Sequence, residues 1–97
     1  MSRRRYLVTY DIADPRRWRD VYDIVRCHGD RLQYSVYLCD MDGIEKIGML
    51  SALRVVIDHR RDRIAIIDLG EPSAVRGAMI EFMGPSLPLP DVGPQIV

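Results

Sequence analysis

The stretch Arg5–Pro15, RYLVTYDIADP, decides the fold of this chain. Its apolar and aromatic side chains alternate with a period of two, which predicts a strand with one face towards the core. That face is predicted to carry Tyr6, Val8, Tyr10 and Ile12. Asp11 lies on the opposite face, so the strand delivers one carboxylate to its C-terminal end, away from the core. A lone acid here is either a candidate for chemistry or a turn-forming residue, and its type alone favours the second role.

A helix is predicted directly after this strand. Asp14 can act as its N-cap, Pro15 fits its first position, and Gly29 offers a C-terminal stop. The stripe predicted to face the core consists of Trp18, Val21, Tyr22, Ile24, Val25 and His28. The opposite face is charged and carries Arg16, Arg19, Asp20, Asp23 and Arg26.

The middle of the chain predicts a further strand region and a second helix. Arg31–Asp40 alternates apolar and polar side chains, as one bent strand or as two short strands broken near Tyr34 and Ser35. Asp42 then caps a helix that extends from about Gly43 to Asp58. The apolar stripe predicted for this helix runs through Ile47, Leu50, Leu53 and Ile57.

The C-terminal third predicts strands that need a partner. Arg63–Leu69 is apolar on both faces, so both faces must be covered, and the helices of a two-layer domain cover only one. A second copy of the chain is the simplest cover for the other face. Glu71–Gly77 is predicted as a turn and Ala78–Met83 as a last strand that joins the sheet of that second copy. The domain is thus expected to span residues 1–83, and the proline-rich residues 84–97 to form an extended tail.

The predicted order of elements is βαββαβ, which is the pattern of an α+β, ferredoxin-like fold. Such a fold has an antiparallel sheet with both helices on one face. The other face is left bare, and a two-fold dimer formed through it would bring two copies of Asp11 towards one axis. A pair of carboxylates with waters and a substrate phosphate can hold Mg²⁺.

The basic residues are unevenly placed, although the 14 basic and 14 acidic side chains cancel. Of the basic residues 13 are arginine, whose planar fork of donors suits phosphate better than the lysine ammonium does. Arg16, Arg17, Arg19 and Arg31 are candidates for nucleic-acid binding. The alternative is a solvated helix face on which these arginines pair with nearby aspartates.

Other sequence signals exclude several classes of protein. Cys27 and Cys39 lack the spacing of a zinc site, and two cysteines are too few for a secreted disulfide framework. No apolar run is long enough for a signal peptide or a membrane span, so the expected location is the cytoplasm.

Several of these segments together resemble the CRISPR-associated protein 2 family. The resemblance rests on Tyr10–Ile12 at the end of the first strand, Asp14–Arg19 at the start of the helix and Gly29–Tyr37. The tail segment Gly84–Pro90 and the terminal Ile96–Val97 are similar to tails in that family. The resemblance covers nearly the whole chain, and the combination is more specific than any one segment.

The resemblance implies a ferredoxin-like homodimer in which Asp11 is the metal-binding acid of a Mg²⁺-dependent phosphodiesterase. It places Arg17, Arg19, Arg31, Ser35 and Tyr37 near that site or on a basic surface, and Tyr10 beside Asp11. Tyr37 stands where phenylalanine is frequent in the family. The implied partner is CRISPR-associated protein 1, the integrase with which the dimer inserts new spacers while holding duplex DNA.

Two other functions remain open at the level of the sequence. One is a non-catalytic DNA-binding scaffold, in which Asp11 is a relic or an interface residue. The other is a toxin-like endoribonuclease, which rests on fold analogy alone. Both duplex DNA and single-stranded RNA are therefore candidate substrates.

Overall fold

The computed structural model describes residues 2–74 and 80–85, and their elements follow the predicted order. They are β1 (Arg4–Asp11), α1 (Pro15–Val25), β2 (Gly29–Gln33), β3 (Val36–Met41), α2 (Gly43–Val56), β4 (Arg63–Gly70) and a short 3₁₀ turn (Pro72–Ala74). The strands form one antiparallel sheet in the order β2-β3-β1-β4. The predicted ferredoxin-like α+β fold is confirmed, and Arg31–Asp40 is broken into two strands around Tyr34 and Ser35.

Strand β1 is central in the sheet, and its alternation is as predicted. Tyr6, Val8 and Tyr10 are buried towards the helices, and none of them is more than 6% exposed. The helices cover them with Val21 and Val25 of α1 and with Met49 and Leu53 of α2. Asp11 is exposed at the end of the strand. The helices cover one face of the sheet, and Asp11 lies on the opposite face, here called the outer face.

The start of α1 is as predicted, but its end is not. The Asp14 carboxylate accepts hydrogen bonds from the backbone N–H groups of Arg16 (3.0 Å) and Arg17 (3.1 Å). The helix ends at Val25, and Gly29 is the first residue of β2 rather than the helix stop. A Cβ on Gly29 would clash with the carbonyl oxygen of Leu38 on the paired strand. This glycine therefore serves a close approach of two strands.

Helix α2 begins at the predicted cap but presents a different face to the core. Asp42 and Glu45 form a reciprocal capping box, and Glu45 also pairs with Arg3 at 2.6 Å. The face that carries Met49, Leu53 and Val56 packs against the core. Ile47 was wrongly predicted to be in the core stripe and is 66% exposed. The helix is apolar around most of its circumference, so the periodicity alone did not distinguish the two faces.

The helix also ends at Val56, two residues before the predicted Asp58. The backbone N–H of Asp58 donates to the Asp62 carboxylate at 2.8 Å, outside the helical hydrogen-bond pattern. Among the residues that the structure describes, no helix is long and apolar enough to cross a membrane.

The outer face of the sheet has an apolar centre. Leu38 is 5% exposed there and packs with Leu7 and Leu32, and Ile80 and Phe82 from the C-terminal segment lie against this group. Neighbouring side chains on β4 remain open, with Ile67 46% and Leu69 36% exposed. The prediction that the helices leave one apolar face of β4 uncovered is confirmed.

The predicted last strand, Ala78–Met83, is not formed by its described part. Residues 80–83 belong to no strand in the described chain, and residues 78 and 79 lie outside the described ranges. The prediction assigned this strand to the sheet edge of a second copy, because a strand needs a pairing edge. That pairing stays a prediction, as does the extended tail, of which residues 86–97 lie outside the described ranges.

Candidate functional site

Asp11 borders a shallow depression where β1 ends on the outer face. The depression has a volume of about 200 Å³. It is lined by Thr9, Tyr10, Asp11, Ser35, Val36, Arg63 and Ala65. Arg63 is the pairing neighbour of Asp11 across the β1–β4 ladder, so a cation and an anion meet at this end of the sheet. Such a pair can hold a metal ion on one side and attract a phosphate on the other.

Ser35 is held in place at the β2–β3 turn by two hydrogen bonds. Its carbonyl oxygen accepts from the backbone N–H of Tyr10 at 3.1 Å. Its hydroxyl oxygen accepts from the Trp18 indole N–H at 3.0 Å. Ser35 therefore lines the same depression as Asp11, and its two hydrogen bonds tie this turn to both β1 and α1.

Tyr10 and Tyr37 lie behind the sheet, on the side of the helices. Their rings stack at a centroid distance of 6.5 Å, and Tyr10 is 6% and Tyr37 2% exposed. Burial raises the pKa of Tyr10 to about 12, and burial also raises the pKa of Tyr37. Both phenols are therefore protonated at neutral pH and unsuited to act as bases. Tyr10 reaches the depression at its edge, whereas the Tyr37 ring packs in the core.

The Tyr10 hydroxyl carries a further feature. It is buried and has no hydrogen-bond partner among the residues that the structure describes. A buried hydroxyl without a hydrogen-bond partner costs free energy. The Tyr10 hydroxyl is therefore available to form a hydrogen bond with a polar group.

The four predicted phosphate-binding arginines do not share one role. Arg17 is bound to Asp62 through two hydrogen bonds of 2.7 and 3.2 Å, and the Asp62 side chain is fully buried. Arg17 therefore has a structural ion pair that the sequence did not reveal. Arg16, Arg19 and Arg31 are exposed. Arg16 and Arg19 lie on α1, and Arg31 lies on β2.

Two of these arginines lie against an aromatic stack. Trp18 stacks on Tyr22 at 5.2 Å and on Tyr34 at 4.6 Å between ring centroids. The guanidinium of Arg19 is 5.8 Å from the Tyr22 centroid, and that of Arg31 is 5.9 Å from the Tyr34 centroid. The sequence assigned Trp18 and Tyr22 to the core stripe. The possible break near Tyr34 and Ser35 was the sequence signal for a turn here, but no signal placed that turn beside α1.

The donor set for a metal ion is small. Within residues 2–74 and 80–85 no group of three or more His, Cys, Asp or Glu side chains is arranged to hold one. Asp11 is the acidic residue that lines the depression. One carboxylate fits Mg²⁺ because this ion commonly keeps several waters and takes further oxygen ligands from a substrate phosphate. Asp11 thus fits Mg²⁺ but not a closed, all-protein metal cage.

Comparison with known proteins identifies the family. Residues 4–76 match the model of the CRISPR associated protein Cas2 family. The CRISPR-associated endoribonuclease Cas2 1 of Rhodospirillum rubrum is 45% identical over 79 residues, which cover 81% of this chain and 76% of that protein. The CRISPR-associated endonuclease Cas2 2 of Thermus thermophilus is 31% identical over 96 residues, with 95% and 93% covered.

A solved structure agrees with these sequence matches. Cas2 of Streptococcus pyogenes superposes with a TM-score of 0.72 at 29% sequence identity, covering 82% of this chain and 99% of that one. Residues 4–76, which match the family model, contain the strands β1 to β4, the helices α1 and α2 and the residues that line the depression at Asp11. The chain belongs to the CRISPR-associated protein Cas2 family.

Proposed function

We propose that this protein is a subunit of CRISPR spacer acquisition that acts as a homodimer, binds duplex DNA and hydrolyses phosphodiester bonds with Mg²⁺ at Asp11. The observation that carries this proposal is the exposed Asp11 beside Arg63, at one end of an outer face with an apolar centre. Family membership supports the CRISPR context. The names of the relatives support a nuclease that acts on RNA or DNA.

The dimer is proposed from the outer face. Leu38 at the centre of this face is already covered by Ile80 and Phe82, whereas Ile67 and Leu69 beside it are 46% and 36% exposed. Burial of such apolar surface contributes roughly 25 cal/mol per Å². An isologous contact through this face would bring the two Asp11 depressions onto one interface.

Ile67→Asp is expected to raise the dissociation constant of the dimer by more than about 100-fold, because it places an unpaired charge in a buried apolar contact. Ile47→Asp is the matched control, since Ile47 is 66% exposed on the outward side of α2. Sedimentation velocity over a micromolar concentration series measures both variants. Equal dissociation constants for the two variants would argue against dimerisation through the outer face.

The chemistry follows from the charges at the depression. When bound, Mg²⁺ supplies a Lewis acid for the phosphate and lowers the pKa of a bound water. Asp11 provides the anionic oxygen that holds the cation in place. Arg63 lines the same depression, and its positive charge can stabilise the negative charge that develops on the phosphate during the reaction. Ser35 keeps the turn beside Asp11 in position.

The direct test uses the purified protein on labelled duplex DNA and on labelled single-stranded RNA, with Mg²⁺ and with excess chelator. Cleavage that requires Mg²⁺ supports the nuclease. Addition of the integrase partner, CRISPR-associated protein 1, to the same protein tests the adaptation role through spacer integration. Failure of both reactions would argue against the proposed function.

Nucleic-acid binding is expected to use the exposed arginines of α1. Replacing Arg16 and Arg19 together by alanine should lower the slope of log affinity for duplex DNA against log salt concentration by about two, because each neutralised phosphate contributes roughly 0.9. Arg54→Ala on α2 is the control for an exposed arginine elsewhere. Fluorescence anisotropy at several salt concentrations measures the slopes. An unchanged slope would return Arg16 and Arg19 to the role of a solvated helix face.

One observation favours a second function. Among the described residues, a single carboxylate lines the depression, which is a minimal metal site. A non-catalytic scaffold that holds duplex DNA for the integrase is therefore the alternative. The two proposals predict different results for cleavage. A scaffold supports spacer integration, but cleavage with Mg²⁺ stays at the level seen with chelator.

A further inference from the structure

The β2–β3 turn exposes an aromatic ring whose orientation is fixed. Tyr34 is 64% exposed although its ring stacks on Trp18 at a centroid distance of 4.6 Å and an interplanar angle of 17°. Since one face of the ring lies against Trp18, its exposed surface must come from the other face and the edges. Trp18 is itself held by its hydrogen bond to Ser35 and by stacking on Tyr22.

One cation lies over this ring. The Arg31 guanidinium is 5.9 Å from the Tyr34 centroid, and Arg31 is exposed. Arg19 and Arg26 lie over Tyr22, which stacks on Trp18 as Tyr34 does. A largely exposed flat ring with an exposed arginine beside it matches a ligand that combines a flat base with phosphates.

We propose that Tyr34 is a stacking platform for an unpaired nucleobase, with Arg31 positioned to contact the adjoining phosphate. The ligand is a single-stranded nucleic acid, because bases in an intact duplex are stacked on each other and do not offer a free face. This inference rests on the proposed function, since it names the type of strand that reaches the Asp11 site.

The stacking platform is adjacent in the chain to a residue of the candidate site. Ser35 follows Tyr34 directly and lines the depression with Asp11 and Arg63. Because Tyr34 and Ser35 are adjacent in the chain, the platform lies next to that depression. Tyr34 would select unpaired strands for the site, whereas the arginines of α1 bind phosphates of either kind of strand.

The chain's only tryptophan, Trp18, makes the platform directly observable. Its fluorescence is titrated with a short oligothymidylate and with a strand of equal length that contains abasic positions, so that the phosphates match and the bases differ. Stacking predicts binding of the abasic strand that is roughly tenfold to a hundredfold weaker. The comparison is made on the wild-type protein and needs no cleavage.

Two variants locate the effect. Tyr34→Phe keeps the ring and should keep the preference for the strand with bases. Tyr34→Leu removes the ring and should bind both strands with the same reduced affinity, while thermal unfolding reports any change in stability separately. A Tyr34→Leu variant that still prefers the strand with bases would overturn the proposal.

The outcomes also separate this inference from the proposed function. Equal affinity of the wild-type protein for the two strands would overturn the stacking platform and leave phosphate binding intact. Binding of neither strand, and no binding of duplex DNA, would overturn both proposals together.

Discussion

Replacing Asp11 by asparagine is expected to lower Mg²⁺-dependent cleavage by at least about 100-fold, because a metal ion contributes several kcal/mol to the transition state and each 1.4 kcal/mol corresponds to a factor of ten. Asparagine keeps the shape of the side chain and one oxygen but removes the negative charge that holds the cation. Cleavage of labelled substrate at a series of Mg²⁺ concentrations measures the loss. A partial recovery at high Mg²⁺ would show that the variant mainly weakens metal binding.

The fold should tolerate this change. Asp11 is exposed at the end of β1, and substitutions at exposed positions usually alter stability little. The melting temperature is therefore expected to stay within about 4 °C of the wild type. Asp20→Asn on α1 is the matched control, since it makes the same charge change at an exposed position away from the depression.

Three results would change the interpretation of Asp11. Cleavage at the wild-type rate would remove the residue from the mechanism. Loss of the folded state would assign it a structural role. Unchanged spacer integration by the variant, with background cleavage in both proteins, would favour the scaffold.

The fold was largely predictable because its central strand has a strong pattern. The period of two over Tyr6–Tyr10, followed by a cap and a proline, determines the direction of β1 and the start of α1. The βαββαβ order of the elements then predicts an antiparallel sheet with both helices on one face. The alternation, the N-cap and the proline act through neighbouring residues, so they can be recognised from the sequence alone.

The errors arose where a contact between distant residues decides the outcome. Gly29 is typical of a helix end by its local sequence, but its role is the close approach to Leu38 on a neighbouring strand. Ile47 fits an apolar stripe, but the helix buries Met49 and Leu53 against the core and leaves Ile47 66% exposed. In both cases several local arrangements were acceptable, and tertiary contacts selected one.

The candidate site shows the same division. The position of Asp11 follows from the alternation along β1. Of the residues that the resemblance placed near it, Tyr10 and Ser35 line the same depression, whereas Tyr37 packs in the core. The Arg63 side chain could not be placed beside it without the register of β1 against β4. Arg17 was predicted to bind phosphate because no nearby residue in the sequence indicated its partner. That partner, Asp62, is 45 residues away.

That partner, Asp62, is the subject of the second large prediction. Its buried carboxylate accepts hydrogen bonds from Arg17 at 2.7 and 3.2 Å, from the Ala13 N–H at 2.9 Å and from the Asp58 N–H at 2.8 Å. These groups belong to α1, the β1–α1 connection and the segment before β4. Asp62 therefore holds together three parts of the chain next to the end of β1.

Asp62→Asn is expected to lower the melting temperature by at least about 10 °C, because it leaves Arg17 without its anionic partner and sets an amide N–H₂ against donors. Asp68→Asn is the matched control, since Asp68 also accepts two hydrogen bonds from an arginine but is about half exposed. An exposed ion pair contributes little to stability, so the control should change the melting temperature by only a few degrees. Equal losses in the two variants would mean that burial of the Arg17–Asp62 pair is unimportant.

The same pair predicts how stability depends on pH. The hydrogen bonds from Arg17 hold the pKa of Asp62 well below its usual range, so the folded protein keeps this carboxylate ionised where the unfolded chain takes up a proton. The stabilisation is fully present above the ordinary aspartate pKa of about 3.9, and it is lost as the pH falls from there through the folded-state pKa. Wild-type protein should therefore lose more stability between pH 6 and pH 3 than Asp62→Asn does. Chemical unfolding at a series of pH values measures this difference, and parallel curves for the two proteins would show that Asp62 is not the group responsible.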